Sequence, residues 1–242
     1  MTNHVLLNNV DHKDLKVITT RSAEYGDNVQ CAVTFFWEFR SIQAHYPIFF
    51  TKDGGTGGYT AVAVFGFEDK ENLFLSNSGW DASYIPLSIR REPFLIGSQQ
   101  SGASGGSEGG PVIHLNMDSP RVSDSEGEAA FLAHGGISPY LEQINSVLNT
   151  INEGYPVHEL FTKELVKHGL LESFALDIQL NDGSQNRLMG FYTINEDALF
   201  ELDGDALRGL NEKGFLLPIY MVLASLSNIR DLIDRKNALP GQ

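Results

Sequence analysis

Residues 60–67 read Thr-Ala-Val-Ala-Val-Phe-Gly-Phe, a nearly unbroken apolar run. A strand with one wet face alternates polar and apolar side chains, so an unbroken run predicts a central strand buried on both faces. Ile48-Phe49-Phe50-Thr51 just before it is β-favouring, and Asp53-Gly54-Gly55-Thr56-Gly57-Gly58 between the two reads as a flexible hairpin loop. Upstream, Leu15–Thr19 reads as a strand. Phe36, Phe39 and Ile42 lie three apart and predict a short helix within 35–45, stopped by Pro47.

Downstream, Asn72–Leu75 reads as a strand followed by the turn Asn77-Ser78-Gly79. Residues 84–96 carry Pro86 and Pro93, which predicts an extended edge segment. A Gly/Ser-rich stretch at 98–110 reads as a long flexible loop, before a short strand at 111–117 and an acidic turn at 118–128. The second half is mainly helical. Leu141, Ile144, Leu148 and Ile151 share one face of a helix over 139–152, and a separate helix over 159–168 ends at Gly169. Phe174, Leu176, Ile178 and Leu180 alternate with polar positions and turn through Asp182-Gly183 into residues 187–194, a β-hairpin. Asn195 and Asp205 are expected helix caps. A final helix over 216–236 carries Ile219, Val222, Leu223, Leu226, Ile229 and Ile233 on one stripe. The pattern predicts an α+β fold: a strand-rich N-terminal half with a mainly antiparallel sheet, then a helix-rich C-terminal half containing one β-hairpin. A single domain over 1–242 is expected.

Charge narrows the partners. The chain has 17 Lys+Arg against 31 Asp+Glu, a net charge of −14, and no basic run. Nucleic acid and anionic membrane surfaces are therefore not expected partners, since both need cations. The single cysteine, Cys31, excludes an internal disulfide framework. The N-terminal residues lack the basic and apolar regions of a secretory signal. The most apolar stretch, 214–226, is too short for a membrane span and reads as a core helix. A cytoplasmic location is expected.

Chemistry-bearing patterns are sparse. His114 and Asp118 are four apart, but on an extended strand that is roughly 13 Å. Asp118, Asp124, Glu126 and Glu128 do not follow calcium-loop spacing. Ser101-Gly102-Ala103-Ser104-Gly105 follows no apolar strand, and the glycines at 54–58 join two strands rather than a strand and a helix. No catalytic residue, metal or cofactor is assigned.

The segment 72–94 stands apart, because it gathers Trp80, Tyr84 and Phe94 beside Arg90 and Arg91 in an otherwise acidic chain. Aromatic faces beside guanidinium groups suit a small anionic, carbohydrate-like or peptide ligand. The alternative is an extended segment that packs its rings inward while its arginines pair with Glu92 or Asp81.

At this segment the chain resembles the SapC family. The matching pieces are His45-Tyr46-Pro47-Ile48-Phe49-Phe50, Lys52-Asp53, Asn72-Leu73-Phe74, Gly79-Trp80, Tyr84-Ile85-Pro86, Ile89-Arg90 and Pro93-Phe94. Further matches are Glu126-Gly127, Asp182-Gly183, Leu188-Met189-Gly190-Phe191-Tyr192 and Ser225-Leu226-Ser227-Asn228. The resemblance implies a bacterial protein of a family named for surface layers, with halogenase-like, cupin-like and TonB-dependent neighbours. It implies no catalytic residues. Three functions stand side by side: a ligand- or peptide-binding accessory protein using Trp80, Tyr84, Arg90 and Arg91; an iron-dependent enzyme drawing on His12, His45 or His114; and an assembly protein pairing two copies through the last helix.

Overall fold

The structure is a computed structural model of the 242-residue chain that describes residues 3–98 and 111–239. The loop expected at 98–110 lies, from residue 99 onward, outside the described residues. The chain divides into two compact units, Met1–Asp27 with Leu87–Asn152 and Asn28–Pro86 with Glu153–Gln242. Every strand pairing among the described residues is antiparallel and the helices concentrate in the C-terminal half, so the α+β architecture is as the sequence predicts.

The first unit has two small three-stranded sheets. In one, Pro111–Asn116 lies between His4–Leu6 and Phe94–Ser98. In the other, Lys16–Val17 lies between Val122–Ser123 and Glu128–Ala129. Leu15, Val17, Phe94, Leu115, Phe131, Leu141, Ile144 and Leu148 form one apolar cluster. Gly127 is required where it stands: its φ is +99°, and a Cβ would sit 2.3 Å from the Val17 carbonyl oxygen.

Among the described residues of this unit, one ionic group is buried around Asp27. The Arg121 side chain is 2% exposed and donates to the carbonyls of Ile18 (2.8 Å) and Thr20 (3.0 Å) and to Asp27 Oδ2 (2.5 Å). Arg21 reaches Asp27 Oδ1 at 3.1 Å, so one carboxylate serves two guanidinium groups. Burial, and then the neighbouring Arg121, lowers the Arg21 pKa.

The second unit is built on a five-stranded sheet in the order Leu171–Gln179, Gln185–Ile194, Ile48–Lys52, Tyr59–Val64, Cys31–Val33. The apolar run is an interior strand, with residues 61–67 buried. Phe161 is the hub of the aromatic core, with Phe36, Phe39, Phe50 and Phe215 centred 5.4–6.4 Å away. Pro47 cannot donate, and the N–H of Ile48 after it is taken by the Ser225 hydroxyl at 2.9 Å.

Several local expectations change. The strand expected at 72–75 is a turn at 73–74, and the pairing strand is Leu75–Ser76, against Gly79–Trp80. Helices 139–152 and 159–168 are one helix, Pro139–Lys167, with Pro156 inside it. Proline removes one backbone bond there. The burial of Leu148 before it and of His158, Phe161 and Leu165 after it keeps the helix continuous. Residues 84–96 are not extended throughout: Leu87–Arg90 is a short helix following Pro86, where a proline costs no hydrogen bond. The helix expected after Asp205 is capped instead by Asp203, which accepts from Ala206 N at 2.7 Å. The final helix is two, Leu216–Ser225 and Asn228–Asn237, and at the break Ser225 and Ser227 turn their hydroxyls back onto the carbonyls of Val222 and Ala224. The expected stripe is also partly rotated: Ile219 and Val222 are buried, but so are Ser225, Leu232 and Lys236, while Leu217 and Tyr220 stay exposed. Taken together, Leu216–Asn237 is long and apolar enough to cross a membrane by length and composition. Within it, the 3%-exposed Lys236 pairs with Glu68 (3.0 Å) and Glu71 (2.5 Å).

The Asp27 arrangement gives a stability prediction. Asp27→Ala leaves two guanidinium groups without their shared counter-charge, and urea unfolding should show a loss of about 3–5 kcal/mol. Removing the exposed Asp205 carboxylate should cost less than about 0.5 kcal/mol. Equal losses in the two variants would contradict the role given to Asp27.

Candidate functional site

The structure divides the four expected binding residues between the units: Trp80 and Tyr84 lie in the second, Arg90 and Arg91 in the first. Trp80 closes a two-residue hairpin, paired with Leu75. Its indole N–H donates to the Tyr46 hydroxyl at 2.8 Å, and that hydroxyl donates to the Tyr84 carbonyl at 2.5 Å. Tyr46 is fully buried, which pushes its phenol up to about 12. The Tyr84 hydroxyl donates to Oε1 of the buried Glu38 at 2.9 Å. Trp80 and Tyr84 are half-buried, and these hydrogen bonds of their polar atoms stay within the protein. Asp81 pairs with Arg235 at 2.8 Å, and Arg235 lies 4.3 Å from the Phe74 ring centre. Arg91 donates to the Phe94 carbonyl at 2.8 Å and pairs with Glu92 at 3.3 Å, while Arg90 is exposed.

A different set of residues forms an open groove of about 690 Å³ in the second unit. One wall is the turn between Ile48–Lys52 and Tyr59–Val64. Asp53 Oδ1 holds this turn by accepting from Gly55 N (3.2 Å), Thr56 N (2.6 Å) and the Thr56 hydroxyl (2.7 Å), which lowers the Asp53 pKa. Tyr59 follows, packed edge-on against Tyr192 at 5.0 Å with the Lys52 ammonium 5.4 Å from its ring centre. The other wall is a face of the long helix: Tyr155, Glu159, Thr162, Lys163 and Val166. Glu159 and Lys163 pair at 2.6 Å, and Tyr155 is 63% exposed.

His158 fixes that helix to the sheet. Thr34 N donates to the Ala61 carbonyl at 2.9 Å, which places both Ala61 backbone groups on the side of the edge strand Cys31–Val33. The edge strand has ended there, and the Ala61 N–H donates to His158 Nε2 at 3.3 Å. Nε2 as acceptor puts the ring proton on Nδ1, which finds no partner among the described residues. Phe35 and Phe39 pack edge-on at 5.8 and 6.5 Å. In this apolar site desolvation lowers the His158 pKa to about 4.

A family model for SapC matches residues 7–232, nearly the whole chain. The chain belongs to the SapC family. No curated protein and no solved structure matches it. In this SapC chain several of the residues that carry the resemblance hold the second unit together. Tyr46, Trp80 and Tyr84 meet in one hydrogen-bonded chain. Ser225 tethers Ile48, and Asn228 donates to the Gln43 carbonyl at 2.9 Å.

Among the described residues no three of His, Cys, Asp and Glu converge as a metal-ligand set. His12 interacts with Asn8 in the first unit, while His45 lies 2.6 Å from the Ser83 hydroxyl in the second. His114 pairs across strands with Leu6 and Leu95, and Asp118 accepts from Asn3 N.

Sequence reasoning missed the groove because it broke the helix before Glu159. The legible signal was the spacing of Tyr155, Glu159, Thr162, Lys163 and Val166 along one helical face.

His158 carries a pH prediction. Its folded pKa is lowered, so the unfolded chain takes up this proton first as pH falls. The stability it contributes is complete above the unfolded pKa near 6.5 and is lost as pH drops towards about 4. Between roughly pH 7 and pH 5 the native protein should lose about 2 kcal/mol more than His158→Gln. Parallel denaturation profiles for the two proteins would contradict this.

Proposed function

We propose that this SapC-family chain is a cytoplasmic accessory protein that binds a small polar, carbohydrate-like or peptide ligand in the groove between Tyr59 and Tyr155. The observation that carries the reading is the groove itself: two tyrosines, hydroxyl groups and an ion pair facing one opening of about 690 Å³. Small-molecule sites combine such a concave surface of roughly 300–1,000 Å³ with a few placed polar groups. The surface expected at Trp80, Tyr84, Arg90 and Arg91 is less well supplied, because the polar atoms of Trp80, Tyr84 and Arg91 are engaged within the protein.

A cytoplasmic setting is in keeping with the acidic composition and with a single cysteine that has no internal partner for a disulfide. We take Leu216–Asn237 as a core element, in view of its break and the ion pairs of Lys236. The family resemblance supports a link to envelope or TonB-dependent uptake systems.

Backbone amide shifts during a screen of small polar fragments test the location. Shifts should cluster at Tyr59, Thr60, Tyr155, Glu159 and Thr162. Clustering at Trp80, Tyr84, Arg90 and Arg91 would overturn the groove as the site, and an absence of shifts anywhere would overturn the binding role.

A further inference from the structure

We propose that the groove takes an uncharged saccharide, one or two pyranose rings in size; the inference rests on the groove being the binding site and adds what it holds. Charge balance decides first. Asp53 and Glu159 bring two carboxylates to the groove, Lys163 brings one ammonium, and Lys52 holds a second over the Tyr59 ring. Asp53, Glu159 and Lys163 line the groove itself, and with Lys52 behind Tyr59 the four sum to zero. A free anion meets carboxylates whose one groove-lining cation, Lys163, is already paired with Glu159 at 2.6 Å. A free cation meets Lys163 on one wall and finds the Tyr59 ring already serving Lys52. A neutral ligand suffers neither repulsion.

The apolar surface decides next. Tyr59 is fixed by Tyr192, whereas Tyr155 is 63% exposed and has no aromatic neighbour among the described residues. An exposed, amphipathic ring of this kind gains by covering its face with C–H groups while its hydroxyl stays hydrogen-bonded. A pyranose matches both demands. It has a face of C–H groups to lie on the Tyr155 ring and a rim of hydroxyls that both donate and accept. That rim can meet the Glu159 carboxylate as acceptor, the Lys163 ammonium as donor, and the Thr60 hydroxyl as either. The Glu159–Lys163 pair is four residues apart on one helix, so it presents an acceptor and a donor side by side, as adjacent sugar hydroxyls require.

The test is saturation-transfer NMR with methyl glucoside, methyl galactoside, methyl mannoside, N-acetylglucosamine and cellobiose, each at millimolar concentration. Glucuronate and tetramethylammonium serve as charged probes. At least one neutral sugar should receive saturation on its C–H protons and shift the Tyr155 and Glu159 amides. Tyr155→Ala should weaken that binding about tenfold, the loss of one ring contact, while Tyr155→Phe retains it. Tyr155 is exposed, and unchanged amide spectra elsewhere will show that both variants fold. Neutral sugars that fail to bind, or that bind Tyr155→Ala unchanged, overturn the proposal. If glucuronate or tetramethylammonium alone shifts the groove amides, the saccharide assignment fails and the groove survives as a site. If every probe leaves the groove untouched and a bound fragment maps to Trp80, both readings fail together.

Discussion

A single backbone N–H organises the second unit. The edge strand Cys31–Val33 is too short to cover the whole of Tyr59–Val64, so the sheet presents Ala61 with no strand partner for its donor. An unpaired buried N–H is costly, and His158 removes the cost from the neighbouring helix. The same contact anchors the helix rotation. With His158 and Phe161 turned inward, Tyr155, Glu159, Thr162 and Lys163 lie on the adjoining stripe of the helix, three and four residues apart, and line the groove beside the hairpin turn. The groove is thus a consequence of how the sheet's edge is completed. The arrangement leaves one unsatisfied group, the Nδ1 proton of His158, in exchange for a paired backbone.

The first unit solves a related problem with charge. Its carbonyls at Ile18 and Thr20 are satisfied by the Arg121 guanidinium, and Asp27 compensates the charge that this brings inside. Arg21 shares the same carboxylate and also donates to the Ile89 carbonyl at 3.3 Å. Both units therefore use one buried, ionisable side chain to finish hydrogen bonding that short strands cannot.

The α+β class, the buried strand Tyr59–Val64 within the apolar run 60–67, the hairpin after Phe174 and the cap at Asn195 were legible because each depends on local pattern: unbroken apolarity, alternation, and a side chain three residues before an open N–H. The family was legible too, since its motifs stand in the sequence. What misled was punctuation. The gap expected between helices 139–152 and 159–168 is absent: the helix runs on through Pro156, with burial on both sides of it. The break in the last helix, where Ser225 and Ser227 donate back to the carbonyls of Val222 and Ala224, leaves no mark in the apolar stripe. The aromatic and arginine cluster at 80–91 is continuous in sequence, while Trp80 and Tyr84 belong to the second unit and Arg90 and Arg91 to the first. No local pattern discloses His158, because its partner, Ala61, is 97 residues away.

The most direct test is the protonation of the His158 ring, read from its nitrogen chemical shifts at neutral pH. The account predicts a neutral imidazole with the proton on Nδ1, leaving Nε2 free to accept from Ala61. A proton found on Nε2, or a charged ring, would remove that acceptor and with it the tie that holds the groove's two walls in place.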